Sequence, residues 1–289
     1  MDIKAILDKR RLPDNVLDNL WDRIIVPVEV KERLLAQAVI GLTFRKHLEP
    51  GAMPIHGLIM LTGPPGTGKT SLAKGLASKA ASVLKGNPIE FIEVEPHSLT
   101  SSALGKSQRE VLHFFKETVA EYASQGPLIV LLDEVETLAA NRSKMSLEAN
   151  PIDVHRATDA VLASLDALAA EFSELLFIAT SNFEEAVDGA FVSRADLVER
   201  IDLPDRSACE AILRDSIDVL GKKWPKLKHL LADGTFPTLV EHTVGLDGRQ
   251  IRKAVIRAFT YDKQVALHPE QMSHEHLRKA LGHMRETRS

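Results

Sequence analysis

Short apolar runs alternate with amphipathic stretches over the first two thirds of the chain. Gly57–Leu61, Ile89–Val94, Leu128–Leu132, Leu175–Thr180 and Glu199–Leu203 read as strands. Between them lie helical patterns: residues 28–47, with Val30, Leu34, Leu35, Ala38, Val39 and Leu42 on one face, then Lys69–Leu84, Gln108–Ser124 and Asp153–Phe172. Leu128–Leu132 is apolar at every position, as a strand buried on both faces of a parallel sheet should be. The pattern changes at Pro204. Beyond it only helical periods appear, at Ser207–Leu220, Thr235–Thr243, Asp247–Lys263 and Ser273–Glu286. Residues 1–20 are charged and weakly helical, and they read as a short arm.

Alternation of strand and helix predicts an α/β fold with a parallel five-stranded sheet joined by right-handed crossovers. The expected organisation is an arm over 1–20, a large α/β domain over 21–204 and a small all-helical domain over 205–289.

Composition narrows the function classes. The chain has 289 residues, 44% hydrophobic and 26% charged, which fits an ordinary globular protein. The net charge is −4, and Lys and Arg are dispersed, so no dedicated nucleic-acid-binding arm is visible. A single cysteine, Cys209, excludes an intrachain disulfide and a cysteine metal cluster. The 11 histidines lack zinc-site spacing. No apolar run is long enough to span a bilayer and the first residues do not read as a secretory signal, so a cytoplasmic protein without a membrane partner is expected.

The chemistry is concentrated after the first parallel strand. Gly63-Pro-Pro-Gly-Thr-Gly-Lys-Thr70 is G-x-x-x-x-G-K-T, between an apolar run and a helix. Glycines let backbone N–H groups close around phosphate oxygens, and the helix start offers its positive dipole end. Nucleotide contacts are therefore expected from Pro65, Gly66, Thr67, Gly68, Lys69, Thr70 and Ser71. Lys69 should reach the β- and γ-phosphates of ATP, and Thr70 should ligate Mg²⁺. Leu128–Leu132 runs into Asp133 and Glu134. Acids at the end of a parallel strand face the ligand edge of the sheet. Asp133 suits the Mg²⁺ shell, and Glu134 suits the general base that polarises the attacking water. Asn182, after the fourth strand, can hold that water.

Together GPPGTGKT (63–70), LIVLLDE (128–134), TSN (180–182), FVSRAD (191–196) and GLDGR (245–249) resemble the AAA+ family. The resemblance implies a ring, typically hexameric, with ATP at each subunit interface. Arg194 matches the arginine finger that reaches a neighbour's γ-phosphate, and Arg249 matches the second sensor. Ile25 and Val26 match the segment that packs on adenine. Leu197 stands where many members carry a second finger arginine. The pore-loop position of the family falls at Ser102–Lys106, where Ala103 replaces the usual aromatic and Leu104 remains as the gripping residue. A second pore loop falls at Arg142–Asp153, with Met145 and Leu147 able to touch substrate.

LWDRIIVPVEVKERLL (20–35), LIVLLDEVETLAANRS (128–143), NPIDVHRATDAVLASLD (150–166) and GLDGRQIRKA (245–254) are similar to the pachytene-checkpoint, thyroid-receptor-interactor group of that family. That resemblance implies ATP-driven remodelling of HORMA-domain proteins. The short segment ahead of residue 20 favours the compact bacterial members. Those accompany a nucleotidyltransferase of antiphage signalling and dismantle its complex with a HORMA protein. The competing reading is a DNA-metabolism ATPase of the clamp- or helicase-loader type, which predicts a clustered basic face that the sequence lacks.

Overall fold

The computed structural model describes residues 5–49, 52–86, 88–99, 106–141, 151–232 and 234–286. Two compact units result: residues up to 63 with 69–201, and residues 64–68 with 202 onward.

The first unit is built on a six-stranded sheet: β1 (Ile6–Leu12), β2 (Leu58–Thr62), β3 (Ile89–Val94), β4 (Leu128–Leu132), β5 (Leu175–Thr180) and β6 (Leu197–Arg200), in the order β1-β3-β4-β5-β2-β6. The five predicted strands are present and mutually parallel. The last of them starts two residues earlier than its pattern suggests and ends at Arg200.

Alternation along the strands explains the packing. Leu58, Met60, Ile92, Val94, Val130 and Phe177 point to one face, where they meet Phe115, Val161 and Leu165. Ile59, Leu61, Phe91, Ile129, Leu131 and Ile178 point to the other, where they meet Leu72, Leu76 and Leu34. Both faces are covered, so the strands must be apolar throughout.

The N-terminal arm is the main departure from the sequence reading. Residues 6–12 form an antiparallel edge strand on β3, with Ile6 opposite Val94 and Leu12 opposite Ile89. Charges hid it: Lys9, Arg10 and Arg11 sit on a strand edge, where such residues also discourage further pairing. Lys9 lies 3.8 Å from Glu90. Helix Asn15–Arg23 follows, capped by Asp14, which accepts the N–H of Val16 and of Leu17 at 2.9 and 3.0 Å. It packs on helix Lys69–Leu84 at Gly75, where a Cβ would stand 2.6 Å from the Trp21 nitrogen. The predicted helix Gln108–Ser124 is continuous but contains a π-helical stretch, Phe114–Val119, that turns Phe114, Phe115 and Val119 into the core.

The second unit contains only helices among its described residues. Arg206–Gly221, Phe236–Thr243, Gly248–Arg257 and His274–Glu286 are the main ones. Leu213, Ile217, Leu239, Val240, Ile251, Val255, Leu277 and Leu281 fill their common core. The predicted helix Asp247–Lys263 is instead broken: it ends at Arg257, passes through a 3₁₀ turn, and restarts at Lys263 under an Asp262 cap. Cys209 is buried here, and burial raises its thiol pKa.

Candidate active site

The phosphate loop leaves the end of β2, and helix Lys69–Leu84 begins at Lys69. Three loop glycines take positive φ: Gly63 at 132°, Gly66 at 83° and Gly68 at 94°. Side chains would also be excluded by space. A Cβ on Gly63 would lie 2.2 Å from the Ile201 carbonyl oxygen. Within the second unit, a Cβ on Gly66 would lie 2.4 Å from the Asp247 carboxyl carbon, and the Arg249 N–H donates to the Gly66 carbonyl at 3.3 Å. Asp247 caps the helix that carries Arg249 through a reciprocal box with Gln250.

Around Lys69 the first unit assembles one polar network. Lys69 is 5% exposed, and its ammonium donates to the Gly63 carbonyl at 2.8 Å and to the Asn182 side-chain oxygen at 3.0 Å. The Asn182 amide nitrogen donates to a Glu134 carboxylate oxygen at 3.2 Å. Asn182 therefore bridges the loop lysine and the strand-end glutamate. The Thr70 hydroxyl donates to Asp133 at 2.9 Å. Two oxygen groups of this kind, a hydroxyl and a carboxylate, fit the hard-donor chemistry that Mg²⁺ requires. Glu134 sits at φ 53°, the left-handed region that a non-glycine residue adopts only under local constraint.

Three further residues complete the network, and the sequence reading gave none of them a part. The Thr180 hydroxyl donates to Asp133 and accepts the Glu134 N–H, the latter at 3.2 Å, so it orients both acids. Glu136 accepts the Asn182 N–H at 3.2 Å. His97, just past β3, lies 3.8 Å from Glu134. A polar residue closing β5 two places before Asn182 was the available signal for Thr180. Glu136 and His97 carried none, because only the register of β3, β4 and β5 brings them together.

The structure does not bring Arg194 to this cluster. Leu197 pairs with Ile59, at the start of β2, whereas the phosphate loop leaves after Thr62. Arg194 thus lies beyond the opposite end of β2, about 16 Å of strand away. There its guanidinium grips Asp166 with two bonds of 2.7 Å and donates to the Ala190 carbonyl at 2.8 Å. The carboxylate raises the Arg194 pKa, and the guanidinium holds Asp166 below the usual carboxylate range.

Ile25 and Val26 are half-buried after helix Asn15–Arg23, and Val26 packs against the core cluster that contains Trp21 and Leu34. Pro65 is exposed, Thr67 donates to the Pro64 carbonyl at 3.0 Å, and Ser71 lies in the first helical turn. Arg249 is exposed in the second unit. Ala103, Leu104, Met145 and Leu147 lie outside the described residues.

A glycine loop between strand and helix, a buried lysine and two strand-end acids define a phosphate-loop nucleoside triphosphatase. Residues 59–203 match the model of the ATPase family associated with various cellular activities. CD-NTase-associated protein 6 of Pseudomonas aeruginosa is 51% identical over 285 residues, 99% of this chain and 94% of that one. A pachytene checkpoint protein 2 homolog of Oryza sativa is 36% identical over 213 residues, covering 72% of this chain. The chain spans 45% of that relative's length. In fold, the chain resembles one in a solved E. coli MS115-1 HORMA:CdnC:Trip13 complex, with a TM-score of 0.73 at 18% identity over 96% of this chain and 95% of that one. The chain belongs to the AAA family of ATPases, in the branch that holds CD-NTase-associated protein 6 and the pachytene checkpoint proteins. It is an ATPase.

Proposed function

We propose that this ATPase works as a homohexameric ring that uses ATP to pull apart complexes of a HORMA-domain protein, and so silences a nucleotidyltransferase of antiphage defence in the bacterial cytoplasm. The observation that carries the ring is the position of Arg194. It lies about one strand length from its own phosphate loop, so a finger role requires a neighbour's ATP. The client follows from the relatives: one named for association with a CD-NTase, a second a pachytene checkpoint protein, and a fold neighbour solved with HORMA and CdnC.

In this reading the large domain ends near residue 204 and the lid covers 205–289. Pro65–Ser71 wrap the triphosphate, with Lys69 on the β- and γ-phosphates, while Ile25 and Val26 line the adenine pocket. Thr70 and Asp133 hold Mg²⁺, which when bound offsets charge on the phosphate oxygens. Glu134 takes a proton from the attacking water, and Asn182 orients that water. Lys69 keeps the Asn182 amide turned so that its nitrogen faces Glu134, which fixes the base before substrate arrives. Arg194 stabilises charge on the neighbour's γ-phosphate, and Arg249 reports nucleotide state to the lid. Leu104 grips the client in the pore, and one apolar residue suits a short pull on a terminal segment better than processive threading.

The test is capture. Glu134→Gln protein loaded with ATP should retain a HORMA protein, with or without a nucleotidyltransferase, from the host cell. Recovery of nucleic acid alone would favour a loader-type ATPase and sink this reading.

A further inference from the structure

The Arg194 guanidinium is unusually well held for a group meant to act on another subunit. Its Nε and one Nη donate to the two oxygens of Asp166, both at 2.7 Å, and the other Nη donates to the Ala190 carbonyl at 2.8 Å. A guanidinium has five N–H donors, and bonds to the described residues use three of them, leaving one on each Nη. A carboxylate gripping Nε and one Nη occupies the side edge of the fork. The outer edge, between the two Nη atoms, is not the edge that Asp166 occupies, and it is the edge that suits a phosphate.

The supports of this pair are themselves fixed. Asp166 stands on helix Pro151–Glu171, whose Leu162, Leu165 and Leu168 are buried in the sheet core. Ala190 belongs to the short helix capped by Asp188, which accepts the Ala190 N–H at 2.9 Å. Two residues on, Asp196 is anchored to the start of β2. Arg194 is therefore held from the helix, from its own turn and from the strand. The mutual shifts in pKa, up for Arg194 and down for Asp166, agree with a charge-assisted pair.

We propose that Asp166 is a positioning residue for catalysis, which presets the Arg194 guanidinium with its outer edge turned to the γ-phosphate bound by the next subunit. The proposal rests on the reading of Arg194 as a finger acting in trans. An arginine otherwise samples many rotamers, and aligning it at each turnover would cost rate. Holding the side edge leaves the phosphate-binding edge free, so the ion pair need not break for catalysis.

The experiment compares full-length wild type, Asp166→Asn, Asp166→Glu, Arg194→Ala and the Asp166→Asn/Arg194→Ala double variant. ATP turnover, fluorescent-nucleotide affinity and thermal melting are measured for each. Asp166→Asn should lower kcat by about 10- to 100-fold and leave nucleotide affinity within about twofold. Asp166→Glu keeps the charge with a longer reach and should fall between. The double variant should be no slower than Arg194→Ala. Mixing Asp166→Asn with Glu134→Gln subunits, whose Arg194 is intact, should restore part of the lost turnover.

Wild-type turnover in Asp166→Asn with a dead Arg194→Ala overturns the proposal and leaves the ring reading standing. Wild-type turnover in Arg194→Ala overturns the finger reading itself. A further loss when Asp166→Asn is added to Arg194→Ala, or no gain on mixing, shows that Asp166 acts by another route and also overturns it. If Asp166→Asn fails to fold, Asp166→Glu and its mixing experiment decide by the same criteria.

Discussion

Asp196 accepts the backbone N–H of Gly57 at 2.7 Å, which ties the segment carrying Arg194 to the strand that feeds the phosphate loop. The same carboxylate takes the N–H of His56 at 2.9 Å and of Leu58 at 3.1 Å. The half-buried Arg45 guanidinium donates to the carbonyls of His56, Ala169 and Leu175. The start of β2 is thus held by one anion, through three N–H groups, and by one cation, through the His56 carbonyl.

Asp196→Ala leaves those three N–H groups without their acceptor in a largely buried setting. The loss should be about 2–4 kcal/mol, seen as a fall of roughly 5–15 °C in the melting temperature of the nucleotide-free protein. A melt within about 1 °C of wild type would show that the anchor is dispensable.

Glu134→Gln keeps the Asn182 contact possible but removes the base. Turnover should drop by about 10²–10⁴, while fluorescent-nucleotide affinity stays near wild type. Equal losses in affinity and turnover would assign Glu134 to binding instead.

Thr180 is a sharper test of the local geometry, because its hydroxyl bonds both the Asp133 carboxylate and the Glu134 backbone N–H. Thr180→Ser should keep most activity. Thr180→Val, similar in shape, should cut kcat by about tenfold or more, since the strand-end acids lose their shared partner. Steady-state ATPase assays at saturating ATP separate the two, and equal rates would dismiss the hydroxyl.

Gly66 takes φ 83° and has no room beside Asp247. Gly66→Ala should weaken nucleotide binding by at least tenfold, since the left-handed backbone costs about 1–2 kcal/mol in an L-residue and the new methyl group displaces Asp247. Isothermal titration measures it. Unchanged affinity would mean that the loop needs neither feature.

The Asp166–Arg194 pair also sets a pH response. The Asp166 pKa is lowered in the fold, first by its hydrogen bonds from Arg194. The stabilisation is therefore complete above the ordinary carboxylate pKa of about 4 and is lost as pH falls through the lower folded value. The pair is partly exposed, with Asp166 at 44%, so the effect should stay below about 1 kcal/mol. Melts from pH 6 to pH 2.5 should show a shallower acid limb for Asp166→Asn than for wild type.

Much of this protein is legible in its sequence. Leu58–Leu61, Leu128–Leu132 and Leu175–Ala179 are apolar at every position, and only a sheet covered on both faces accommodates that. Gly63, Gly66 and Gly68 announced a loop closed around phosphate, because spacing along the chain alone sets the loop's geometry. Local information of this kind is written in consecutive residues. The edge strand Ile6–Leu12 was not legible, since its charges suit a helix as well as a strand and only pairing with β3 decides between them. The break after Arg257 was hidden for a similar reason: its apolar positions satisfy a continuous helix until packing sets the turn. Tertiary structure alone joined Thr180 to Asp133, Asn182 to both Lys69 and Glu134, and Arg194 to Asp166. Each of those bonds connects residues far apart in the chain; the order and register of the parallel strands bring the strand-end groups within reach, and the packing of helix Pro151–Glu171 on the sheet brings Asp166 to Arg194.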